Sequence, residues 1–331
     1  MLKIKHTAFC DYRIFFLGFA LFLCAQANSQ DYHYSQFYAN KLFLGPSFAG
    51  ATQQNRVIAN YRNQWPGIKG FVTYSASFDH NFVNFNSGLG LIVLKDAAGS
   101  MNYGTLKVGL CYSFDFALNE SYHLRPGLGF SFLQRSIDYS KAVWVDQLID
   151  PTSGSSVANG KNKVSGVDSV SSVILYSQNV WFGYTIDHLL KPNLSLLNAE
   201  DRSPLKHSLY GGVTVIRRGR LLKPVDETVS IAAQFSDQGP NRQLDMGLYW
   251  AKSPLTFGLW YRGIPPFNSD RGDAFTFLVG IKQMHFSFGY SYDFTISNLI
   301  NHSAGAHEIS VAYEFYTVKK KKLQAVPCPE F

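Results

Sequence analysis

Large apolar residues and small or polar residues alternate one by one through long segments of this chain. In residues 284–294 every second side chain is large, namely Met284, Phe286, Phe288, Tyr290, Tyr292 and Phe294. A β-strand has a side-chain period of two, so this segment has one apolar face and one polar face. Such a strand either covers a soluble core or lines a membrane barrel.

Repetition of the pattern favours the barrel. The same alternation recurs in residues 106–116, 243–250 and 255–261, which are rich in aromatic residues, leucine and glycine. Long segments of this kind are typical of transmembrane β-barrels. The pattern predicts about fourteen strands, at 55–63, 70–79, 87–95, 104–117, 121–135, 167–176, 178–187, 206–216, 226–236, 241–252, 254–262, 273–281, 284–295 and 305–316. We therefore expect an all-β, closed antiparallel transmembrane barrel of the bacterial outer-membrane type over residues 55–316.

The connections between these strands alternate between short and long. The short ones are 117–120, 177, 252–253 and 282–283, and the long ones are 136–166, 188–205, 263–272 and 296–304. Outer-membrane barrels have short periplasmic turns and longer outer loops. An even strand number then places residues 28–54 as an N-terminal periplasmic segment and 317–331 as a basic periplasmic tail. Residues 217–225 are the one long turn on the short side.

The composition agrees with a barrel. Charged residues make up 16% of the chain and aromatic residues 15%, against roughly 25% charged residues in average soluble domains. The mean hydropathy of −0.07 argues against a helical membrane protein. The net charge of +7 is scattered along the chain, whereas nucleic-acid binding requires a concentrated basic face. We expect no nucleic-acid partner.

Residues 1–27 have the organisation of a secretory signal peptide. Basic Lys3, Lys5 and Arg13 accompany an apolar run over 14–24, and a small-x-small cleavage motif follows at 25–27. Cys24 offers a lipoprotein alternative, which the bulky residue before it disfavours. The sequence thus predicts export, and with the strand pattern it predicts an outer-membrane location.

Several predicted strands carry charged or ionisable residues on the inward face. They are Arg62, Lys107, Asp115, Arg125, Asp245, His285, Asp293 and Glu314. One interpretation is the lining of a selective channel. The other, which we favour, is a set of ion pairs that fills and rigidifies the lumen, because barrel interiors are polar in any case.

Enzymatic chemistry finds little support in the sequence. His285, Ser287 and Asp293 share one strand face, but a single straight strand cannot bring them into triad geometry. Metal-ligand spacings, a phosphate loop and a paired-cysteine motif are all absent from the sequence. We expect no enzyme activity and no cofactor.

Two of the predicted outer loops contain apolar residues that water alone does not favour. Loop 136–166 carries Trp144, Val145 and Ile149, and loop 188–205 carries Leu194, Leu196 and Leu197. Exposed apolar groups often mark interfaces, so these six residues are candidate contacts for a secreted protein. The alternative is that they pack on the barrel mouth.

Many short strings occur in one order along the chain. They include 35–40 (SQFYAN), 46–50 (PSFAG), 60–66 (NYRNQWP), 74–79 (YSASFD), 124–128 (LRPGL), 134–136 (QRS), 188–193 (HLLKPN), 291–297 (SYDFTIS), 307–310 (HEIS) and 328–331 (CPEF). Together these strings resemble the PorP/SprF family of outer-membrane proteins in the type IX secretion system of Bacteroidota.

The resemblance implies a role that spacing and composition do not show. It implies a non-enzymatic barrel that assists secretion or surface attachment of cargo with a C-terminal sorting domain, often large adhesins used in gliding motility. It also implies partners among the other secretion components on the periplasmic side, besides the outer-membrane lipid. A porin or solute channel is the alternative, and a barrel enzyme such as a lipase is a third and weaker one.

Overall fold

The computed structural model describes residues 31–36, 39–52, 55–68, 70–99, 101–139, 161–197, 200–220, 223–263, 272–296 and 304–315. Of the chain's two compact units, Met1–Asp31 contains only one of these residues, and Tyr32–Phe331 contains the others. No helix among the described residues is both long and apolar enough to cross a membrane.

The second unit is built almost entirely of strands. In chain order they are β1 (Asn55–Gln64), β2 (Phe71–Phe82), β3 (Ser87–Ala98), β4 (Tyr103–Phe114), β5 (Phe116–Ala117), β6 (His123–Ser136), β7 (Lys163–Tyr176), β8 (Val180–Asp187), β9 (Lys206–Arg220), β10 (Lys223–Gln238), β11 (Asn241–Lys252), β12 (Leu255–Gly263), β13 (Gly272–Gln283), β14 (Phe286–Thr295) and β15 (Ala306–Phe315). Both β4 and β5 pair with β6 and are separated only by Asp115. They form one strand, so the fifteen segments make fourteen strands.

Each strand pairs antiparallel with its neighbours in sequence, and the ring is closed by β1 and β15. The closing pair is long: it runs from Asn55 opposite Phe315 to Gln64 opposite Ala306. The prediction of a closed antiparallel barrel of fourteen strands is confirmed. Closure leaves no unpaired sheet edge, which a strand structure in lipid requires.

The alternation seen in the sequence separates the two faces of the wall. On β14, Phe286, Phe288 and Tyr290 are 46%, 48% and 45% exposed, whereas Ser287 is 4% exposed and Ser291 is 0% exposed. Exposed phenylalanine, leucine and valine side chains continue this outer belt on the neighbouring strands. The register of β14 is therefore the one that the sequence predicts.

The connection between β9 and β10 differs from the sequence prediction of a long turn at 217–225. Strand β9 continues to Arg220 and β10 begins at Lys223. Charged residues end the apolar alternation here, but the backbone pairing continues, with Arg218 opposite Glu227. The ladder also shifts register between Val229 and Ser230, which a strict period of two cannot anticipate.

The remaining regular elements are short helical segments. Helix α1 (Lys41–Leu44) and the 3₁₀ turn Pro46–Phe48 precede β1, and further 3₁₀ turns lie at Pro66–Ile68 and Val83–Phe85. The two segments before β1 are buried. The described residues between 32 and 52 therefore differ from the expected N-terminal segment outside the barrel.

Candidate functional site in the barrel lumen

The lumen contains the chain's own N-terminal region. We call residues 32–36 and 39–52 the plug. Gln36, Ser47, Phe48 and Ala49 are 0% exposed, and their partners are inward-facing residues of the strands. Eight strands enclose a space that side chains fill, and sixteen to eighteen leave an aqueous channel. A fourteen-stranded barrel has room for a chain segment, and the plug occupies it.

The first part of the plug, residues 32–36, meets a cluster of charges. Arg62 on β1 lies 2.9 Å from Asp293 on β14 and 3.1 Å from Glu308 on β15. The backbone nitrogen of Ser35 donates to Glu308 Oε2 at 2.8 Å. The Ser35 hydroxyl donates to Asp293 and accepts hydrogen bonds from Arg62 and Arg262. A single plug residue thus joins ion pairs from four strands.

Gln36 extends this attachment with a fully paired amide. Its Nε2 donates to Ser291 Oγ and to the carbonyl oxygen of Glu308, each at 3.0 Å. Its Oε1 accepts a hydrogen bond from Ser310 Oγ at 2.6 Å. A buried amide without hydrogen-bond partners destabilises the fold. The hydrogen bonds of Gln36 to groups on β14 and β15 therefore fix the position of the plug beside these two strands.

A second acidic group holds His33. The His33 Nε2 lies 3.0 Å from Asp245 Oδ2 on β11, and Asp245 also pairs with Arg262 on β12 at 3.3 Å. Burial lowers the pKa of His33 below its ordinary value, and the charge of Arg262 lowers it further. Asp245 opposes this change but does not outweigh it. Burial therefore favours the neutral form of His33 over the protonated form.

The second part of the plug, residues 44–49, is held mainly by hydroxyl groups that bind its backbone. Ser172 Oγ accepts from the backbone nitrogen of Ser47 at 2.8 Å. Thr185 Oγ1 donates to the carbonyl oxygen of Leu44 at 2.7 Å, and Ser113 Oγ donates to that of Ala49 at 2.7 Å. Arg125, a charged side chain, also donates to Ala49 O.

Glycines in the wall let the plug backbone approach closely. A Cβ on Gly88 would overlap the carbonyl oxygen of Ala49, and a Cβ on Gly127 would overlap the backbone nitrogen of Ser47. Gly50 has a positive φ of 60°, which turns the chain from the plug towards β1. Side chains at these positions would have to move the plug.

Aromatic rings fill the side of the lumen formed by β7–β13. Phe48 packs at centroid distances of 5.8 Å from Tyr210 and 6.3 Å from Trp181. The same buried apolar cluster contains Ile174, Tyr176, Tyr249, Trp260 and Leu278. The remaining space between plug and wall beside Lys107 and Cys111 is only about 20 Å³, near the volume that one water needs.

Comparison with known families identifies the chain. The family described as type IX secretion system membrane protein PorP/SprF matches residues 26–313. The chain belongs to this family. It is accordingly an outer-membrane barrel, and the expectation from the sequence strings is confirmed. Family and fold both favour a structural or transport role over an enzymatic one.

Solved barrel structures resemble this PorP/SprF protein in outline only. Omp33 of Acinetobacter baumannii is 7% identical, with 79% of this chain and 98% of that chain covered and a TM-score of 0.46. The KdgM porin is 10% identical, with 79% and 99% covered and a TM-score of 0.37. A mutant of the Rh. blastica porin is 8% identical, with the same coverage and a TM-score of 0.35. No curated protein matches the sequence.

The structure brings most of the predicted inward-facing residues of this PorP/SprF protein into the lumen. Arg62, Arg125, Asp245 and Asp293 are buried and contact the plug or its partners. Asp115 accepts a hydrogen bond from Tyr176 at 2.9 Å, and Glu314 pairs with Lys282 at 2.9 Å. Lys107 is half-buried beside the small cavity.

His285 differs from the prediction. It lies in the turn between β13 and β14, is exposed, and packs edge-on against Tyr313 rather than entering the lumen. The alternation of residues 284–294 starts before the strand itself, which begins at Phe286. The turn therefore reorients a residue that a continuous strand would have placed inside.

Sequence reasoning missed several functional residues of the lumen. Glu308 and Arg262 complete the charge cluster, and His33, Ser35 and Gln36 supply the plug side of it. A usable signal was present in the wall. Small inward-facing residues occur on adjacent strands, namely Gly88, Ser113, Gly127 and Ser172, and they leave space for a backbone.

The apolar loop residues divide into two groups. Leu194 and Leu196 are 2% and 8% exposed and pack at the barrel mouth, with Leu194 close to Gly166 on β7. Leu197 is 59% exposed. Trp144, Val145 and Ile149 lie outside the described residues. Within the described part of the chain, no group of His, Cys, Asp and Glu side chains is arranged to hold a metal ion.

Proposed function

We propose that this PorP/SprF protein is a plugged, non-enzymatic barrel that assists secretion or surface attachment of cargo with a C-terminal sorting domain. Family membership supports a role in the type IX secretion system. The observation that carries the rest is the plug, since a barrel whose lumen holds its own chain is suited to holding a partner at its surface rather than to passing solutes.

The plug argues against the porin alternative. A diffusion channel needs a continuous aqueous path, such as the one that porins of sixteen to eighteen strands enclose. Here Phe48 is fully buried against Trp181 and Tyr210 on one side. Ser35 is buried in ion pairs on the other side. Purified protein in planar bilayers is expected to show no steady conductance, and an open-pore conductance would favour the porin.

The proposed cargo surface lies on the loops at the outer end of the barrel. Leu190 and Leu197 are 55% and 59% exposed in the loop between β8 and β9. We propose them as cargo contacts in place of Leu194 and Leu196, which are buried and therefore not accessible to a partner. Trp144, Val145 and Ile149 in loop 136–166 remain predicted contacts. Apolar side chains of this kind contribute strongly when a partner covers them.

The proposed contact with the secretion machinery lies at the other end. Residues 28–54 were one expected contributor, but the described part of them is occupied inside the barrel. The basic tail 317–331, which lies outside the described residues, is the remaining candidate. Its four consecutive lysines, 319–322, favour an acidic periplasmic partner.

The test is affinity purification of tagged protein from native outer membranes, with identification of what accompanies it. The double variant Leu190→Asp/Leu197→Asp is expected to retain about tenfold less cargo than the wild type. Leu118→Asp is the matched control, because Leu118 is 57% exposed in the turn before β6 at the opposite end.

The outcomes separate the alternatives. Equal cargo with all variants would mean that this loop is not the cargo site. Cargo loss with Leu118→Asp alone would mean that the two ends have been assigned in reverse. Absence of any secreted protein from the wild-type preparation, together with steady conductance, would overturn the proposed function.

A further inference from the structure

A basic residue interrupts the apolar outer wall of β3. The outward-facing residues Leu89, Leu91 and Val93 are 43%, 40% and 38% exposed, and the next residue on this face is Lys95, which is also exposed. Lys95 stands opposite Tyr74 on β2 and Leu106 on β4. A charged group on the lipid-facing side of a barrel needs a polar environment.

The position of Lys95 along the strand places it near a membrane boundary. From Ser87 to Lys95 a tilted strand climbs roughly 20 Å, and the apolar band of such barrels is about 25 Å tall. Exposed Phe82 and Phe85 mark the opposite boundary at the β2–β3 turn. Lys95 can therefore extend its ammonium group into the headgroup layer while its methylene chain stays in the apolar region.

A groove opens beside Lys95. Its volume is about 850 Å³. Small outward-facing residues form its floor in consecutive strands, with Ala97 opposite Gly104 and Gly104 opposite Ser136. Tyr74 and Leu106 contribute apolar walls, and Lys163 lies at the far end, opposite Ser136.

The groove contains two lysines, Lys95 and Lys163, and two aspartates. Among the described residues, neither Lys95 nor Lys163 has a carboxylate partner within ion-pair distance. The aspartates are Asp96 and Asp138. Asp96 alternates with Lys95 along the strand, so it faces the lumen, where it accepts a hydrogen bond from Thr73 at 2.6 Å. On this strand the charged group that faces the bilayer is therefore Lys95.

We propose that this groove binds the phosphate-bearing headgroup of an outer-membrane lipid. Lys95 is the principal phosphate ligand, Lys163 is a second one farther out, and Tyr74 with Leu106 contacts the upper part of an acyl chain. A lipid fits better than a soluble peptide because Val93 and Val108, directly beside Lys95 and Leu106 on the same face, are themselves exposed to the bilayer. The inference is independent of the proposed cargo role.

The test uses the full chain, folded and purified in uncharged detergent micelles. Binding is measured by native mass spectrometry with three probes: phosphatidic acid, diacylglycerol and inorganic phosphate. We expect retention of phosphatidic acid but not of diacylglycerol, and no displacement by millimolar inorganic phosphate. Lys95→Gln should weaken phosphatidic acid binding about fivefold, the effect of one basic residue near a lipid surface, and Lys163→Gln should weaken it less.

Lys107→Gln is the matched control. Lys107 lies on the neighbouring strand, one residue after Leu106, and faces the lumen instead of the lipid. Heat-dependent migration on gels shows which variants are folded, and Lys163→Gln supplies the measurement if Lys95→Gln does not fold. Equal binding by the Lys95, Lys163 and Lys107 variants would overturn the proposal. So would equal retention of diacylglycerol, or displacement of the lipid by inorganic phosphate.

Discussion

Residues 32–36 meet the barrel wall through ionised side chains, whereas residues 44–49 meet it through neutral hydrogen bonds and close backbone contacts. At the first end, Ser35 lies between Asp293 and two guanidinium groups. At the second end, hydroxyl groups and Arg125 bind backbone atoms, and Phe48 packs on rings. The first end is specified by charge pairing and the second by shape.

The difference determines how each end responds to change. A buried ion pair is strongly destabilised when one partner is removed, because the other charge stays buried. Loss of a neutral hydrogen bond lowers the stability much less. At a close backbone contact, however, any added side-chain atom causes a steric clash. Substitutions at the two ends therefore distinguish electrostatic attachment from steric fit.

The largest effect is expected at Glu308. Glu308→Ala leaves Arg62 buried with one carboxylate fewer and removes the acceptor of the Ser35 backbone nitrogen. We expect a loss of about 3–5 kcal/mol in the free energy of unfolding, measured by denaturant titration of the folded barrel. Glu314→Ala is the control, since its partner Lys282 is partly exposed and can turn to water. Similar losses for the two variants would contradict a special role for the plug contact.

A steric change at the other end should have the next largest effect. Gly88→Ala introduces a Cβ into the carbonyl oxygen of Ala49, and we expect a loss of about 1–3 kcal/mol with partial release of the plug. Gly109→Ala is the matched control, because the Cβ added there would lie 3.2 Å from Ser131 Cβ and would not overlap the plug backbone. Conductance and protease cleavage before β1 should increase for Gly88→Ala alone. Unchanged conductance and stability would show that the plug backbone is not in close contact with the barrel wall at Gly88.

Removal of the Ser113 hydroxyl should have a smaller effect. Ser113→Ala removes the donor to Ala49 O and the acceptor of Arg125 Nε, but Arg125 still donates to the same Ala49 oxygen. The expected loss is about 1–2 kcal/mol, in the same denaturant titration. A loss as large as that of Glu308→Ala would mean that the two ends are not held by different forces after all.

Acidification should weaken the charged end only modestly. The pKa of His33 is lowered by burial and by Arg262, with Lys206 acting in the same direction and Asp245 against it. Because the unfolded chain then binds the proton more readily than the folded chain, stability is fully present above about pH 6.5 and decreases as the pH falls below it. His33→Gln should flatten this decrease. The same slope in both proteins would assign the pH response to other groups.

The alternating residues of β14 were sufficient to predict which side chains face lipid, because a period of two leaves only two choices. The same reasoning placed Arg62, Asp245 and Asp293 inside. It could not predict which of them form ion pairs, because the ion pairs across β1, β14 and β15 depend on the register of the closing strand pair rather than on local sequence. Glu308 has the inward parity of Glu314, and Arg262 that of Trp260, but the local sequence does not show which inward side chains meet.

The plug had no periodic pattern by which to find it. Its strongest sequence cues lie elsewhere, in the glycines and serines on the inner face of β3, β4, β6 and β7. Burial of Leu194 was likewise beyond the sequence, because hydrophobicity alone does not distinguish a side chain that binds a partner from one that packs on its own barrel.

The contacts of Ser35 and Gln36 have a consequence for how the molecule is assembled. Strands β1 and β15 are the most distant in sequence, so their pairing closes the longest loop and is expected to form late. Ser35 contacts Arg62 on one side of that seam and Glu308 on the other, and Gln36 reaches Ser310 beside it. The segment that fills the lumen therefore also fastens the seam, so a segment synthesised before the first strand secures the pairing of that strand with the last one.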